Sequence, residues 1–474
     1  MDNNNYSFKA ESLTVHYFYT FLFSSFNLED KINNSGEEEI IKHIFIDKFR
    51  LSDKLNVDIF WVGKESKTEK GFGFYLEPYL HLKMSRIEIA YPLSENIELF
   101  KWSENINRYE LTNIEIHIKA NIKILESGQG IIDLEISFYP KNQNFFNSEN
   151  VVQLSNIGMR RKTLSTLNIL EDKNLDLTEY KLVINNQEIF LFELFYNNIS
   201  EIKSIFNYIF GDRLEWIEVN KKLVGDIYKY GNTLHFQDPF PMIILTLPDD
   251  IYAHAFLDVD QTTKLLQKES ILNNDDFLNF KRAINKELLT LVFRSKAFGF
   301  PDASFAKLFC HFNDDRLTNM CSTSLVFLYI YSRTGIAIQA QNSISKKHSK
   351  YIIPAFVETV KYLRMRWHTY VVASQWLDKI IENLSDDNIS FKNTLEMIVE
   401  SRRDISRALC DPITFRLGSG STYKIYDIGL SIFRIEDLEK IITTKFSMID
   451  RLYTNLLDVN RIQTFEDMAK KPNS

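Results

Sequence analysis

Apolar and polar residues alternate through two long stretches between positions 113 and 138, and a period of two sustained that far marks a pair of β-strands. Ile114, Ile116, Ile118, Ala120, Ile122 and Ile124 alternate with Asn113, Glu115, His117, Lys119, Asn121 and Lys123. After Glu126-Ser127-Gly128-Gln129-Gly130 the pattern resumes, with Ile132, Leu134, Ile136 and Phe138 set against Asp133, Glu135 and Ser137. Two glycines between alternating runs form the turn of an antiparallel hairpin. Its apolar set is expected on a sheet face and its polar set in water. Further strands are predicted over 13–23, 57–62, 86–91 and 242–247, with a helix starting near residue 37 and helices over 188–210 and 275–293.

The second half follows another period. Ile353, Phe356, Val360, Leu363, Trp367, Tyr370, Leu377, Ile381 and Leu384 recur at steps of three and four, interrupted at Ser374, with Pro354 placed in the first turn. Such a seam spans about 45–50 Å at 1.5 Å per residue. Ile435, Leu438, Ile442, Lys445, Ile449, Leu452, Leu456 and Val459 form a second series, and Leu395, Ile398, Arg402, Ile405 and Leu409 a shorter one between them. The series suit an intramolecular bundle and an oligomer equally. Residues 321–338 read as a buried helix, since Arg333 and a polar Ser-Thr-Ser opening spoil them as a membrane span.

The predicted fold class is therefore α+β, with a β-rich first half followed by an all-α second half of long heptad-patterned helices. The expected domains are a β-rich α+β unit over 1–240, a mainly helical connection over 241–345 and a coiled-coil or bundle domain over 346–474. A chain of 474 residues exceeds one ordinary core. A net charge of −7 opposes general affinity for phosphate backbones. Three widely spaced cysteines (Cys310, Cys321 and Cys410) suit a reducing compartment, and the opening MDNNNYSFKAES lacks the layout of a signal peptide, so a cytoplasmic location without membrane insertion is expected.

The run NIEIHIKANIKILESGQGIIDLEISF, the segment NIGMRR ending at Arg161 and the long final helices resemble uncharacterised bacterial proteins labelled as a CorA-like magnesium transporter family. The resemblance implies cytosolic architecture alone. The Gly-Met-Asn signature of CorA-type channels is absent, Gly158-Met159-Arg160 being the nearest string, and no terminal membrane spans are present. No pore residue carries over.

Candidate sites are few. His254, Asp258 and Asp260 in HAFLDVD would share a face on a strand and offer a divalent cation one imidazole and two carboxylates, although an ordinary polar strand face or turn accounts for them as well. Lys346, Lys347, His348, Lys350, Lys361, Arg364, Arg366 and His368 form the strongest basic stretch, with Glu358 its single acid. Arg364, Arg366 and His368 are anion- or phosphate-binding candidates beside Trp367; the plainer reading is a charged helix flank. Arg402, a further anion-binding candidate, occupies a seam position, where it either takes a partner from another helix or snorkels to the surface. Arg416 lies in the Gly-Ser-rich loop 411–422, where backbone N–H groups suit an anion, though a flexible connector explains the loop too. No G-x-S-x-G, H-E-x-x-H or G-x-G-x-x-G stands in a suitable setting. The leading expectation is a non-enzymatic, oligomerising cytoplasmic protein that senses a ligand or ion, its final helices joining a second copy or a partner helix. The alternative is an enzyme or effector acting on nucleic acid or nucleotides with a partner protein.

Overall fold

Strand β1 (Ser12–Phe23) organises the molecule, because its sequence SLTVHYFYTFLF buries side chains on both faces, as a central strand must. The structure, a computed structural model, describes residues 8–23, 56–60, 81–82, 86–92, 97–103, 105–142, 144–156, 180–184, 187–189, 216–217, 240–266, 319–321, 324–331, 334–341, 343–384, 413–414 and 420–470, with single or paired positions at 43, 204–205, 280, 287–288, 291, 398–399, 402–403, 405–406 and 409. The remaining strands are β2 (Asn56–Phe60), β3 (His81–Leu82), β4 (Arg86–Pro92), β5 (Ile97–Ser103), β6 (Arg108–Leu111), β7 (Ile114–Leu125), β8 (Gln129–Pro140), β9 (Tyr180–Ile184), β10 (Gln187–Ile189), β11 (Trp216–Ile217), β12 (Phe240–Leu247), β13 (Val326–Tyr331), β14 (Thr334–Ala340) and β15 (Ile413–Thr414). The helices are α1 (Ser148–Asn156), α2 (Asp249–Phe256), α3 (Val259–Leu266), α4 (Ser343–Leu384), α5 (Gly420–Ile432) and α6 (Ile435–Lys470).

The main sheet runs β13-β14-β12-β1-β8-β7-β4-β2, with β11 also pairing the end of β1. Its pairs are antiparallel except β12 with β14, which is parallel. The expected hairpin forms as β7 and β8, with Asn121 opposite Asp133 and Ile118 opposite Ile136. A second sheet, β10-β9-β5-β6, lies beside β7, and β15 pairs with β3.

One face of the main sheet carries Val15, Tyr17, Ile89, Ile122, Leu134 and Leu245 into a continuous core. The Tyr17 hydroxyl donates to the carbonyls of Leu154 and Ser155, at 3.3 and 3.0 Å, which fixes α1 to the sheet. Helix α4 crosses the opposite face over β1, β8, β13 and β14, and packs in turn on α5 and α6. At 42 residues it is about 63 Å long at 1.5 Å per residue.

Four expectations need correction. The chain is not a β-rich half followed by an all-α half: β12, β13 and β14 belong to the main sheet, while α1 stands in the first half. Residues 321–338 do not form a buried helix. They supply β13 and most of β14, because a short apolar run buried on both faces carries no period to separate helix from strand, and Val326, Phe327, Tyr329, Ile336 and Ile338 favour the strand. Pro354 sits inside α4 rather than in its first turn, since the helix begins ten residues earlier than the seam, at Ser343. There it cannot donate to the carbonyl of Lys350. Finally, the polar face of the hairpin is not simply in water, for Asp133 is 1% exposed beneath α4. The helices expected from residue 37 and over 188–210 and 275–293 fall almost wholly outside the described residues.

Candidate functional site

Where the first half of α4 meets the polar face of the sheet, the two surfaces enclose a cavity of about 470 Å³. Thr14 and His16 of β1, Glu88 of β4, Asn121 and Lys123 of β7, Asp133 and Glu135 of β8, and Pro354, Glu358 and Lys361 of α4 line it. Strand alternation is what gathers them: odd positions of β7 and β8 share this face with even positions of β1 and β4. On α4, Glu358 and Lys361 are three apart and turn the same way.

The charges form one alternating chain. Arg86 Nε lies 2.7 Å from Glu88, which lies 3.2 Å from Lys123 Nζ. Lys123 crosses to the helix, donating to Glu358 at 2.6 Å and to the Tyr362 hydroxyl at 3.1 Å. Glu358 also accepts from Lys361 at 2.7 Å, and Lys361 returns to the sheet, 2.8 Å from Asp133. Asp133 in turn accepts the Nδ1–H of His16, its oxygens 3.0 and 3.1 Å away.

Burial by itself would push each carboxyl group up and each ammonium down. For Asp133, His16 and then Lys361 outweigh it and hold the carboxyl below its usual range. For Glu358, Lys123 and Lys361 do the same more strongly. Lys123 is driven well up by Glu358 and Glu88, and Lys361 by Asp133 and Glu358, so all four remain ionised. Burial raises Tyr362 to about 12. The lining therefore brings Glu88, Asp133 and Glu358 against Lys123 and Lys361, with Arg86 on Glu88 and His16 on Asp133, while the fourth carboxylate, Glu135, makes no ion pair among the described residues. The arrangement suits binding of a cation.

The candidates read from sequence are scattered. Arg364 and His368 are buried on α4 next to the charge chain, while Arg366 donates to the Tyr426 hydroxyl at 2.8 Å and ties α4 to α5. Arg402 finds its partner on another helix, pairing with Asp450 of α6 and lying over the Phe446 ring. Arg416 lies outside the described residues. His254, Asp258 and Asp260 share no strand face: His254 is on α2, its Nδ1–H donating to the Asp250 carbonyl at 2.7 Å, and Asp258 caps α3 by accepting the Gln261 N–H at 2.7 Å. Among the described residues no three His, Cys, Asp or Glu side chains gather as a metal site requires. Among those same residues, no helix is long and apolar enough to cross a membrane.

Sequence reading missed His16, Glu88, Lys123, Asp133 and Glu135 as a set. Two signals pointed to it: His16 is a titratable group within an otherwise apolar two-faced strand, and Glu358 is the single acid in the basic stretch. The fold and site together define a mixed-sheet α/β protein with a charged cavity beneath one long helix. Comparison with family models, with curated proteins and with solved structures finds no match, and nothing in it links the chain to the CorA-like group.

Proposed function

We propose that this chain is a non-enzymatic, ligand-responsive regulatory module of the cytoplasm, whose cavity receives a small organic cation and whose long helices carry the occupancy to an assembly surface. The observation behind this reading is the charge surplus of the cavity, in which Glu135 has no ion pair among the described residues. An ammonium or guanidinium group entering there would complete an alternation that the protein's own side chains leave one cation short. Lys123 and Lys361 hold Glu358, so a ligand that redistributes these bonds acts directly on α4, and α4 packs along α6.

The alternative, recognition of nucleic acid, is favoured by no particular observation. Lys361, Arg364 and His368 are buried, leaving Lys347 and Lys350 as the exposed bases of that stretch among those whose side chains are described. The test is a thermal-shift and calorimetric screen of ethanolamine, putrescine, agmatine and arginine on the full chain, against sodium chloride of equal ionic strength. Saturable stabilisation that Glu135→Gln weakens at least tenfold is expected. Indifference to all four compounds, or an equal response from the variant, would refute the reading.

A further inference from the structure

The interface of α4 with the sheet treats its cations unequally. Lys123 and Lys361 each reach two carboxylates there. Arg364, one turn beyond Lys361, is 7% exposed and makes no hydrogen bond or ion pair among the described residues, its Nε wholly enclosed. Its guanidinium carbon lies 4.4 Å from the ring centre of Trp367, 5.0 Å from that of Phe240 on β12 and 5.5 Å from that of Phe433, in the short connection between α5 and α6. Aromatic faces attract the charge but take up none of five N–H donors, and a buried guanidinium without acceptors is costly. Burial accordingly pushes Arg364 down to about 9.

His368 stands four residues on, at 2% exposure, and its Nδ1 is likewise enclosed without a partner. Burial and then the nearby Arg364 charge lower it to about 3, so the ring is neutral and has one N–H to donate. Residues four apart share a helix face. Two side chains, each more than nine-tenths buried, thus stand on one face of α4 with donors that no acceptor among the described residues takes up.

We propose that Arg364 and His368 form an oxyanion site, taking the phosphoryl or carboxylate group of a small molecule. The guanidinium edge offers two parallel N–H groups to the two oxygens of such a group, and His368 adds a third donor. Trp367, Phe240 and Phe433 hold the guanidinium. This site does not depend on the cation-binding reading of the cavity.

The experiment is titration of the full chain with inorganic phosphate and, separately, acetate at constant ionic strength set by chloride, followed by thermal shift and calorimetry. One or both anions should raise the melting temperature saturably, and the one that does identifies the chemistry. In Arg364→Met the response should vanish, while the variant without anion melts no lower than the wild type, since an uncompensated charge has gone. Arg364→Lys, which keeps charge and loses the fork, should bind at least tenfold more weakly; it reads the site even if the methionine variant does not fold. No response beyond chloride, or an undiminished response in Arg364→Lys, would overturn the proposal.

Discussion

Lys445 of α6 donates to the side chain of Ser374 on α4 at 2.7 Å, so the residue that interrupts the apolar seam of one long helix is the partner of the residue that interrupts the other. Lys445 also donates to the Ser374 carbonyl at 3.0 Å and to Asp378 at 2.6 Å. A polar contact in an apolar seam fixes register at some cost in stability. Lys445→Ala should therefore lose about 1–2 kcal/mol in urea unfolding, by stranding a buried serine. Lys445→Leu combined with Ser374→Ala should match or exceed the wild type. A double variant weaker than the single one would show that these residues do not act as a pair.

The charge chain should be most sensitive where it is most buried. Lys361→Met leaves Asp133, 1% exposed, with His16 alone, and should cost about 3–5 kcal/mol. Lys123→Met leaves Glu88 with Arg86 and Glu358 with Lys361, and the two carboxylate side chains are 33% and 31% exposed, so water can replace part of the loss. Its cost in the same unfolding measurement should be smaller. Equal losses would mean that depth does not grade the network.

The hairpin and the long helices were legible because a period of two over 113–138 and steps of three and four after Ile353 are local signals. The main sheet as a whole was not. Its parallel pairing of β12 with β14 joins residues about ninety positions apart, and β13 and β14 lie in an apolar run without a period. The cavity failed to show for a related reason: Lys123 and Asp133 look like the wet side of a hairpin until α4, more than two hundred residues later, is laid over them. Arg402 illustrates the opposite case, because a cation in a seam called for either a partner from another helix or an outlet to the surface, and Asp450 supplies the partner.

Gly130 gives a steric test of the sheet. It lies opposite Phe21, and a Cβ built on it would meet the ring at 2.0 and 2.1 Å. Phe21 is 3% exposed within the core, so its ring moves only by displacing the neighbours it packs on. Gly130→Ala should cost about 1–3 kcal/mol through overpacking. Gly128, at φ 86°, is a turn glycine, and its alanine variant should lose about 1 kcal/mol through backbone strain alone. Thermal melts of both would separate the two causes, with Gly130→Ala melting lower.

His368 sets a pH dependence. Burial lowers its folded pKa to about 3, against roughly 6.5 when unfolded. Between these values the unfolded chain binds a proton that the folded chain does not, so the stability this residue contributes is complete above about pH 6.5 and is lost as pH falls toward 3. The slope for one proton is at most about 1.4 kcal/mol per pH unit. The urea midpoint of the wild type should fall relative to that of His368→Leu as pH is lowered from 7 to 4.5. Parallel curves would show that the imidazole charges without penalty.

Ile442 and Ile449 of the second seam are buried, yet α6 also carries an exposed apolar stripe that takes in the last seam residue, Val459. Ile441, Met448, Val459 and Ile462 are 43%, 45%, 51% and 58% exposed, and steps of seven, eleven and three keep them on one side of the helix. Apolar residues spaced this way along a helix of 36 residues suit packing against the same stripe of a second copy, since an isologous contact needs only one self-complementary surface. Light scattering coupled to size exclusion should give a mass of at least two chains at micromolar concentration. Met448→Glu with Val459→Glu should return the single-chain mass without lowering the melting temperature of the fold, because both side chains are exposed. A wild-type monomer under these conditions would remove assembly from the proposed function and leave α6 as a brace for α4 alone.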